Sequence, residues 1–217
     1  MANYKLIIFD FDGTLGDTRR NIVLTMQQTM EELHLSIADE TVCAATIGLP
    51  LEECFRQIYP KLPDADIVEC ADVYRRIFEI NKKKLAPTLF PHVKETLQWL
   101  HLQDYILTVA SSRSSASLND FLQDMEIAEY ISYIVGADDV THAKPHPDPV
   151  LKTLKTLGVP ADEAMVVGDM PVDIMMGRNA GTRTCAVTYG NATRHQLEVA
   201  GADIIIDDLS ELTRDMF

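Results

Sequence analysis

The chain has 217 residues and a mass of 24.3 kDa, and 47% of its residues are hydrophobic, which is enough for one large domain with a substantial core. Acidic residues outnumber basic residues 33 to 19, giving a formal charge of -14 at pH 7. This charge disfavours nucleic acid and anionic membrane surfaces as partners, whereas a small anionic substrate can still bind in a cleft that holds a metal ion and a few cations.

Short, continuous apolar runs recur along the chain and are typical of parallel strands that are buried on both faces. They predict strands over residues 6–9, 105–110, 131–135, 165–167, 185–187 and 204–206. Helical patterns lie between the runs, including one that begins at Asp148-Pro149 and ends at Gly158. This alternation predicts an α/β fold with a doubly wound, mostly parallel sheet, which is a Rossmann-like core.

After the first strand, apolar residues recur at helical spacing and no strand pattern is found before residue 87. We interpret residues 16–86 as an inserted α-helical cap, with residues 1–15 and 87–217 forming the core. Gly48-Leu49-Pro50 is a break between two short helices of this cap.

Polar residues follow several predicted strands or lie in loops close to their ends. The clusters are Asp10 with Asp12, Ser111-Ser112-Arg113, Lys144, and Gly168-Asp169 with Asp173. In an open α/β sheet, ligands bind in the crevice beyond the carboxyl ends of the strands. Asp10 and Asp12 would repel each other there, and a divalent cation is the usual relief of such repulsion. The pattern therefore indicates a metal ion and a reaction at this edge of the sheet.

Each cluster also fits a purely structural role when it is considered alone. Asp12-Gly13 is a common turn signal, Ser111-Ser112 suits a helix cap, and Asp169 suits the cap of a helix near Pro171. Arg113 is compatible with contact to an anion and equally with a solvent-facing position. No single residue favours a catalytic role over a structural one, but the order of the clusters along the chain does.

In that order the chain resembles the haloacid dehalogenase-like superfamily, in its phosphatase branch with a helical cap after the first strand. The segment Asp10-Phe11-Asp12-Gly13-Thr14-Leu15 resembles the first motif of the family, Ser111 the second, Lys144-Pro145 the third, and Gly168-Asp169 with Asp173 the fourth. The likeness covers nearly the whole chain. It implies a phosphatase, of the phosphoglycolate phosphatase-like kind, that works through an aspartyl phosphate.

The acidic residues are the candidates for catalysis and metal binding. A carboxylate can attack phosphorus and form an acyl phosphate, so Asp10 is the candidate nucleophile. Asp12 is the candidate general acid and base. Mg²⁺ prefers carboxylate and carbonyl oxygens, and we expect Asp10 and Asp169 to offer side-chain ligands. The resemblance implies that Asp12 adds its backbone carbonyl and that Asp173 supports either the metal or Lys144.

Phosphate binding is predicted for the serines and the lysine. Ser111 and Ser112 offer hydroxyl groups, and Lys144 supplies a compact positive charge. Gly13 and Thr14 complete the first motif as supporting residues. In the cap, we expect the loop Gly48, Leu49 and Pro50 to contact substrate, because it resembles the cap loop of phosphoglycolate phosphatase-like proteins.

The resemblance implies hydrolysis of a small phosphate monoester, phosphoglycolate-like or a sugar phosphate. Asp12 disfavours the dehalogenases of the superfamily, which lack this second acid. Ile22 stands where the sugar-phosphate mutases carry a cap histidine, which disfavours a mutase. An inorganic pyrophosphatase or a sugar-phosphate mutase of the same superfamily stays an alternative, as does a non-enzymatic receiver module that is phosphorylated on aspartate.

The remaining residues suggest no second chemistry. The cysteines show no C-x-x-C spacing, which argues against zinc and against disulfides, and the six histidines show no metal-binding spacing. The first apolar run is too short for the core of a signal peptide, and about 18 consecutive apolar residues occur nowhere. A cytoplasmic location is the resulting expectation.

Overall fold

A computed structural model of the chain describes residues 5–213. Its centre is a six-stranded sheet in which every neighbouring pair is parallel. The strands of this sheet are β1 (Leu6–Phe9), β4 (Ile106–Ala110), β5 (Tyr133–Val135), β6 (Ala164–Gly168), β7 (Arg183–Val187) and β8 (Ile204–Ile206). Helices that pack on it are α5 (Val93–Leu102), α6 (Ser115–Asp124), α7 (Asp148–Leu157), α8 (Pro171–Ala180) and α9 (Arg194–Ala200). The predicted α/β class and parallel sheet are confirmed.

The order of the strands determines where a ligand can bind. The sheet runs β5-β4-β1-β6-β7-β8, so the chain builds outward on one side of β1 and then returns to build on the other side. β1 is fully buried, as its uninterrupted apolar sequence predicts. At such a reversal of strand order a crevice opens beyond the carboxyl ends of the strands, and here it lies beyond β1, between β4 and β6.

The six predicted strands all exist, and their bounds differ only at the edges. β1 and β8 have the expected limits, whereas β5 begins at Tyr133 and not at residue 131. β7 extends back to Arg183, which pairs with Met165 of β6 although it is polar and exposed. Backbone pairing, and not side-chain polarity, fixes that end of the strand.

Four helices lie between β1 and β4 in addition to α5: α1 (Arg19–Glu32), α2 (Glu40–Ala44), α3 (Leu51–Ile58) and α4 (Asp64–Lys84). The prediction that this segment holds no strand was wrong. β2 (Gly16–Asp17) pairs antiparallel with β3 (Thr88–Leu89), and the ribbon stands at both predicted ends of the cap. Two-residue strands are too short to show an alternating pattern, so sequence periodicity could not reveal them.

The helices of residues 16–86 pack on one another and on the core. Apolar side chains of α1 and α4, among them Met26, Met30, Tyr74 and Phe78, belong to the same buried cluster as β1 and β4. Within residues 5–213, no helix combines the length and the apolar character that crossing a membrane would require.

Candidate active site

A tight turn follows β1 and presents the first two acids. The carbonyl oxygen of Phe11 accepts hydrogen bonds from the backbone N–H groups of Leu15 and Gly16, at 3.0 and 2.9 Å. Gly13 lies in this turn with φ of +93°, a conformation that favours glycine. A Cβ atom at Gly13 would lie 2.2 Å from Oδ2 of Asp169, so the close approach also requires a residue without a side chain.

Three predicted acids meet beyond β1 around one lysine. Carboxylate oxygens of Asp10, Asp169 and Asp173 lie within 4.8 Å of one another, and all three residues are buried. The ammonium group of Lys144, itself buried, donates to Oδ1 of Asp10 at 2.5 Å and to Oδ1 of Asp173 at 2.7 Å. Burial lowers the pKa of Lys144, but Asp10 and Asp173 outweigh it, so the pKa is raised and the lysine stays charged. One positive charge thus faces three carboxylates.

Asp169, which follows β6, is oriented by three hydrogen bonds. Thr14 donates its hydroxyl to Oδ1 at 3.1 Å, and Asn191 donates both its backbone N–H and its side-chain amide to Oδ2, at 2.7 and 3.0 Å. Burial, and then the charge of Asp173, raises the pKa of Asp169 to about 7. The carboxylate is therefore fixed in direction while its charge is poorly compensated.

The donor set fits a divalent metal ion. Burial raises the pKa of Asp10 well above its usual range, and Asp173 adds to the rise. Oδ2 of Asp10 is buried and has no hydrogen-bond partner within the described residues, although an unpaired buried carboxylate oxygen is costly. A cation of the Mg²⁺ class, which takes carboxylate oxygens, would satisfy Oδ2 and offset the charge of Asp10 and Asp169.

Asp12 points to a different set of partners. Its Oδ1 accepts from the hydroxyl of Thr18 at 2.6 Å. The guanidinium of Arg113 donates from Nε to Oδ2 at 2.7 Å and from Nη2 to Oδ1 at 2.7 Å. Burial lowers the pKa of Arg113, but Asp12 outweighs it and the pKa is raised. The solvent-facing alternative for Arg113 is wrong, because its side chain is only 11% exposed.

The two predicted phosphate-binding serines differ in their surroundings. Ser111 is buried beyond β4, and its hydroxyl accepts from the backbone N–H of Arg113 at 3.2 Å. The hydroxyl of Ser112 instead donates to the carbonyl oxygen of Gly48 at 2.5 Å, across the boundary between the core and the cap. Ser112 thereby joins the loop after β4 to the cap loop.

A cavity of about 530 Å³ lies between the cap helices and the strand ends. Asp12, Ser112 and Arg113 line it on the core side. The predicted substrate loop Gly48-Leu49-Pro50 and the apolar residue Ile22 line it on the cap side. The structure therefore brings the cap loop and the second acid to one cavity, large enough for a small phosphorylated metabolite.

Two residues of the site, Thr18 and Asn191, were not identified from the sequence, and Arg113 was identified without its partner. Thr18 and Arg113 hold Asp12, and Asn191 holds Asp169. Asn191 did carry a signal, because it follows β7 as the other polar clusters follow their strands. The sequence held no signal for the pairing of Arg113 with Asp12, because this pairing depends on the direction of side chains across two loops.

A second cluster lies on the surface at the beginning of α7. Nδ1 of His142 and Nδ1 of His146 lie 2.8 and 2.9 Å from the two carboxylate oxygens of Asp148. The ligand atoms lie within 4.8 Å of one another, a proximity that the spacing of the histidines along the sequence did not indicate. Both imidazoles are exposed and both have Asp148 as a partner.

Comparison with known proteins defines the class of this fold and site. The family model for haloacid dehalogenase-like hydrolases matches residues 7–187, and the chain belongs to this family. In a crystal structure of a haloacid dehalogenase-like hydrolase from Bacteroides fragilis, the same fold recurs with a TM-score of 0.92 and 28% identity, covering 96% of this chain and 99% of that one.

Curated relatives narrow the class to a phosphatase. A protein of Dickeya dadantii named probable phosphatase IndB is 37% identical over 209 residues, which are 95% of this chain and 91% of that protein. Pyrophosphatase PpaX of Oceanobacillus iheyensis is 32% identical over 208 residues, covering 96% of this chain and 94% of that protein. With the family membership, these relatives identify the chain as an enzyme, a phosphatase.

Proposed function

We propose that the chain is a Mg²⁺-dependent phosphatase that hydrolyses a small phosphate monoester through a phospho-Asp10 intermediate. The observation that carries the proposal is the position of Asp10. It is buried at the end of β1 between the ammonium of Lys144 and two further carboxylates, and its second oxygen has no protein partner among residues 5–213.

In the first half of the reaction, a carboxylate oxygen of Asp10 forms a bond to phosphorus as the bond from phosphorus to the alcohol oxygen breaks. Asp12 gives its proton to the departing oxygen, so a neutral alcohol leaves. Thr18 and Arg113 fix the direction of the Asp12 carboxyl group for this transfer. In the second half, Asp12 takes a proton from water, the water oxygen forms a bond to phosphorus as the bond from phosphorus to the Asp10 oxygen breaks, and inorganic phosphate and the free Asp10 carboxylate result.

Other residues hold the transferring group. Ser111 offers its hydroxyl group at the end of β4, and Lys144 offers positive charge beside Asp10. Asp10 and Asp169 would hold Mg²⁺ through their side chains, with the backbone carbonyl of Asp12 as a further ligand. When bound, the ion offsets the negative charges of nucleophile and phosphate, which otherwise repel each other.

Two other reactions of the family are separable from this one. The sugar-phosphate mutase is disfavoured because Ile22, which lines the cavity, offers no acid or base. Inorganic pyrophosphate is the second candidate substrate, because a relative that covers 96% of this chain bears the name pyrophosphatase. Hydrolysis of a phosphate monoester and hydrolysis of pyrophosphate would use the same core residues and differ in the leaving group.

The test is phosphate release by purified protein from a panel of small phosphate esters and inorganic pyrophosphate, with Mg²⁺ or with EDTA. We expect turnover only with the metal and a loss of about 10³-fold or more in Asp10→Asn. Asp17→Asn is the matched control, because Asp17 is an exposed acid of the same segment, and its activity should stay near that of the wild type.

The results of these assays distinguish a metal-dependent phosphatase from a receiver-type module. Turnover in EDTA, or full activity of Asp10→Asn, would refute the proposal. Stable phosphorylation of Asp10 by a small phosphodonor, without release of phosphate, would favour a receiver-type module. With an aryl phosphate, whose leaving group departs without a proton from Asp12, mass spectrometry of acid-quenched Asp12→Asn should detect one added phosphoryl group on the peptide that contains Asp10, because the second half-reaction lacks its base.

A further inference from the structure

Aromatic side chains hold the guanidinium group of Arg113 in place beside the cavity. Its guanidinium carbon lies 4.5 Å from the ring centre of Phe121 on α6 and 5.0 Å from that of Phe78 on α4. The side chain is 11% exposed. Aromatic rings from the core and from the cap thus hold one buried cation by cation–π contact, and the plane of the guanidinium is fixed.

The guanidinium has donors that the protein does not use. Its bonds to Asp12 come from Nε and Nη2. A guanidinium carries five N–H donors. The Nη1 amino group donates no hydrogen bond to any residue between 5 and 213, although Arg113 lines the cavity. A buried cation with unused donors beside an open volume is suited to bind an anion.

The other charged residues that line the cavity leave Arg113 as the main candidate to bind an anionic ligand. The acidic residues among the cavity lining are Asp12, Glu52, Glu79 and Asp138. Arg75 is the second basic residue of the lining, but it is half exposed and bound to Glu52 at 2.5 Å and to Asp72 at 2.9 Å. A negatively charged leaving group therefore meets repulsion over most of this surface. Arg113 is also paired with an acid, Asp12, but it differs from Arg75 in being 11% exposed and in keeping its Nη1 donors for a ligand.

We infer that Arg113 binds a second anionic group on the leaving group. The inference rests on the proposed function, in which Asp12 protonates the leaving oxygen. Arg113 contacts that same carboxyl group, so the atoms next to the leaving oxygen lie beside the guanidinium. The substrate class is thus a phosphate compound that carries a carboxylate or a phosphate within one or two bonds of the leaving oxygen.

The test compares two esters that differ in this group alone, 2-phosphoglycolate and ethyl phosphate. The measured quantity is the ratio of their kcat/KM values, because damage to Asp12 lowers both values and leaves the ratio unchanged. Loss of a charge-assisted hydrogen bond should lower the ratio about 10- to 100-fold in Arg113→Gln, with partial recovery in Arg113→Lys. The matched control Arg75→Gln should keep the ratio within about threefold of the wild type.

Each result supports or overturns the inference. If Arg113→Gln lowers both esters equally, Arg113 only positions Asp12 and the inference is wrong. The inference is also wrong if the wild type shows no preference for 2-phosphoglycolate over ethyl phosphate. This comparison uses the wild type alone and does not depend on whether the variants fold. In both cases the proposed phosphatase function stands. If neither ester, nor pyrophosphate, nor any other phosphate compound is turned over with Mg²⁺, the proposed function fails and the inference fails with it.

Discussion

The stability of the metal-free protein should depend on pH through Asp169, and Asp169→Asn isolates that dependence. Burial, followed by the charge of Asp173, raises the pKa of Asp169 from 3.8 to about 7. Hydrogen bonds from Asn191 and Thr14 oppose the rise without cancelling it. Between these two pH values the folded chain holds a proton that the unfolded chain has released.

The sign and size of the effect follow from this difference in bound protons. Where the folded state binds more protons, the free energy of unfolding falls as pH rises. For one proton the slope is about 1.4 kcal/mol per pH unit, so the contribution of Asp169 is complete below about pH 4 and about 4 kcal/mol smaller at pH 7. An asparagine at this position removes the dependence, and its amide can still accept from Asn191 and donate to Thr14.

The assay is urea denaturation of the wild type and Asp169→Asn in EDTA. The stability of the variant relative to the wild type should rise by about 2 kcal/mol between about pH 5 and pH 7 and stay constant above about pH 8. Both proteins contain Asp10, so most of its titration cancels in the difference. Asp17→Asn, at an exposed acid, should show no such rise. A difference between Asp169→Asn and wild type that does not change with pH would refute the reasoning.

Three further predictions concern the same site. A hundredfold excess of Mg²⁺ over its Kd should stabilise the wild type by about 3 kcal/mol above about pH 7, measured by thermal unfolding, and Asp169→Asn clearly less. Gly13→Ala should cost about 2–4 kcal/mol in urea, because its Cβ would meet Asp169 at 2.2 Å and φ is +93°, whereas Gly158→Ala, at φ of +68° with nothing within 4 Å, should cost about 1 kcal/mol. Lys144→Met should cost about 3–5 kcal/mol by leaving Asp10 and Asp173 buried without their cation, and adding Asp173→Asn should restore part of the loss; equal stability of single and double variants would contradict this.

The sequence predicted those parts of the fold that depend on local pattern. β1 is an uninterrupted apolar run ended by an aspartate, and a buried parallel strand with a polar end is the simplest structure for it. β2 and β3 could not be predicted, because two residues give no period and their pairing joins Gly16 to Leu89 across the whole cap. The end of β7 at Arg183 depends in the same way on a neighbouring strand.

For the candidate site, the sequence predicted which residues lie close together but not the direction in which their side chains point. Lys144 and Asp173 follow strands or lie in loops that a parallel sheet brings to one edge, so their proximity follows from topology. Whether Arg113 faces solvent or Asp12 depends on Phe78 and Phe121, which only the packed fold brings together. Ser112 illustrates the same limit, since its hydroxyl meets a cap carbonyl that sequence spacing does not reveal.

The paired strands β2 and β3 bring the two ends of the cap side by side. A segment whose ends are adjacent can be exchanged as a cassette between related proteins without altering the order of the core strands. A chimera made at these strands would receive a new set of cap side chains around the leaving group while keeping Arg113, which follows β4 in the core, provided that the new cap places an aromatic ring where α4 places Phe78. The shape of the accepted substrate and the charge of its leaving group would then be inherited from different parents.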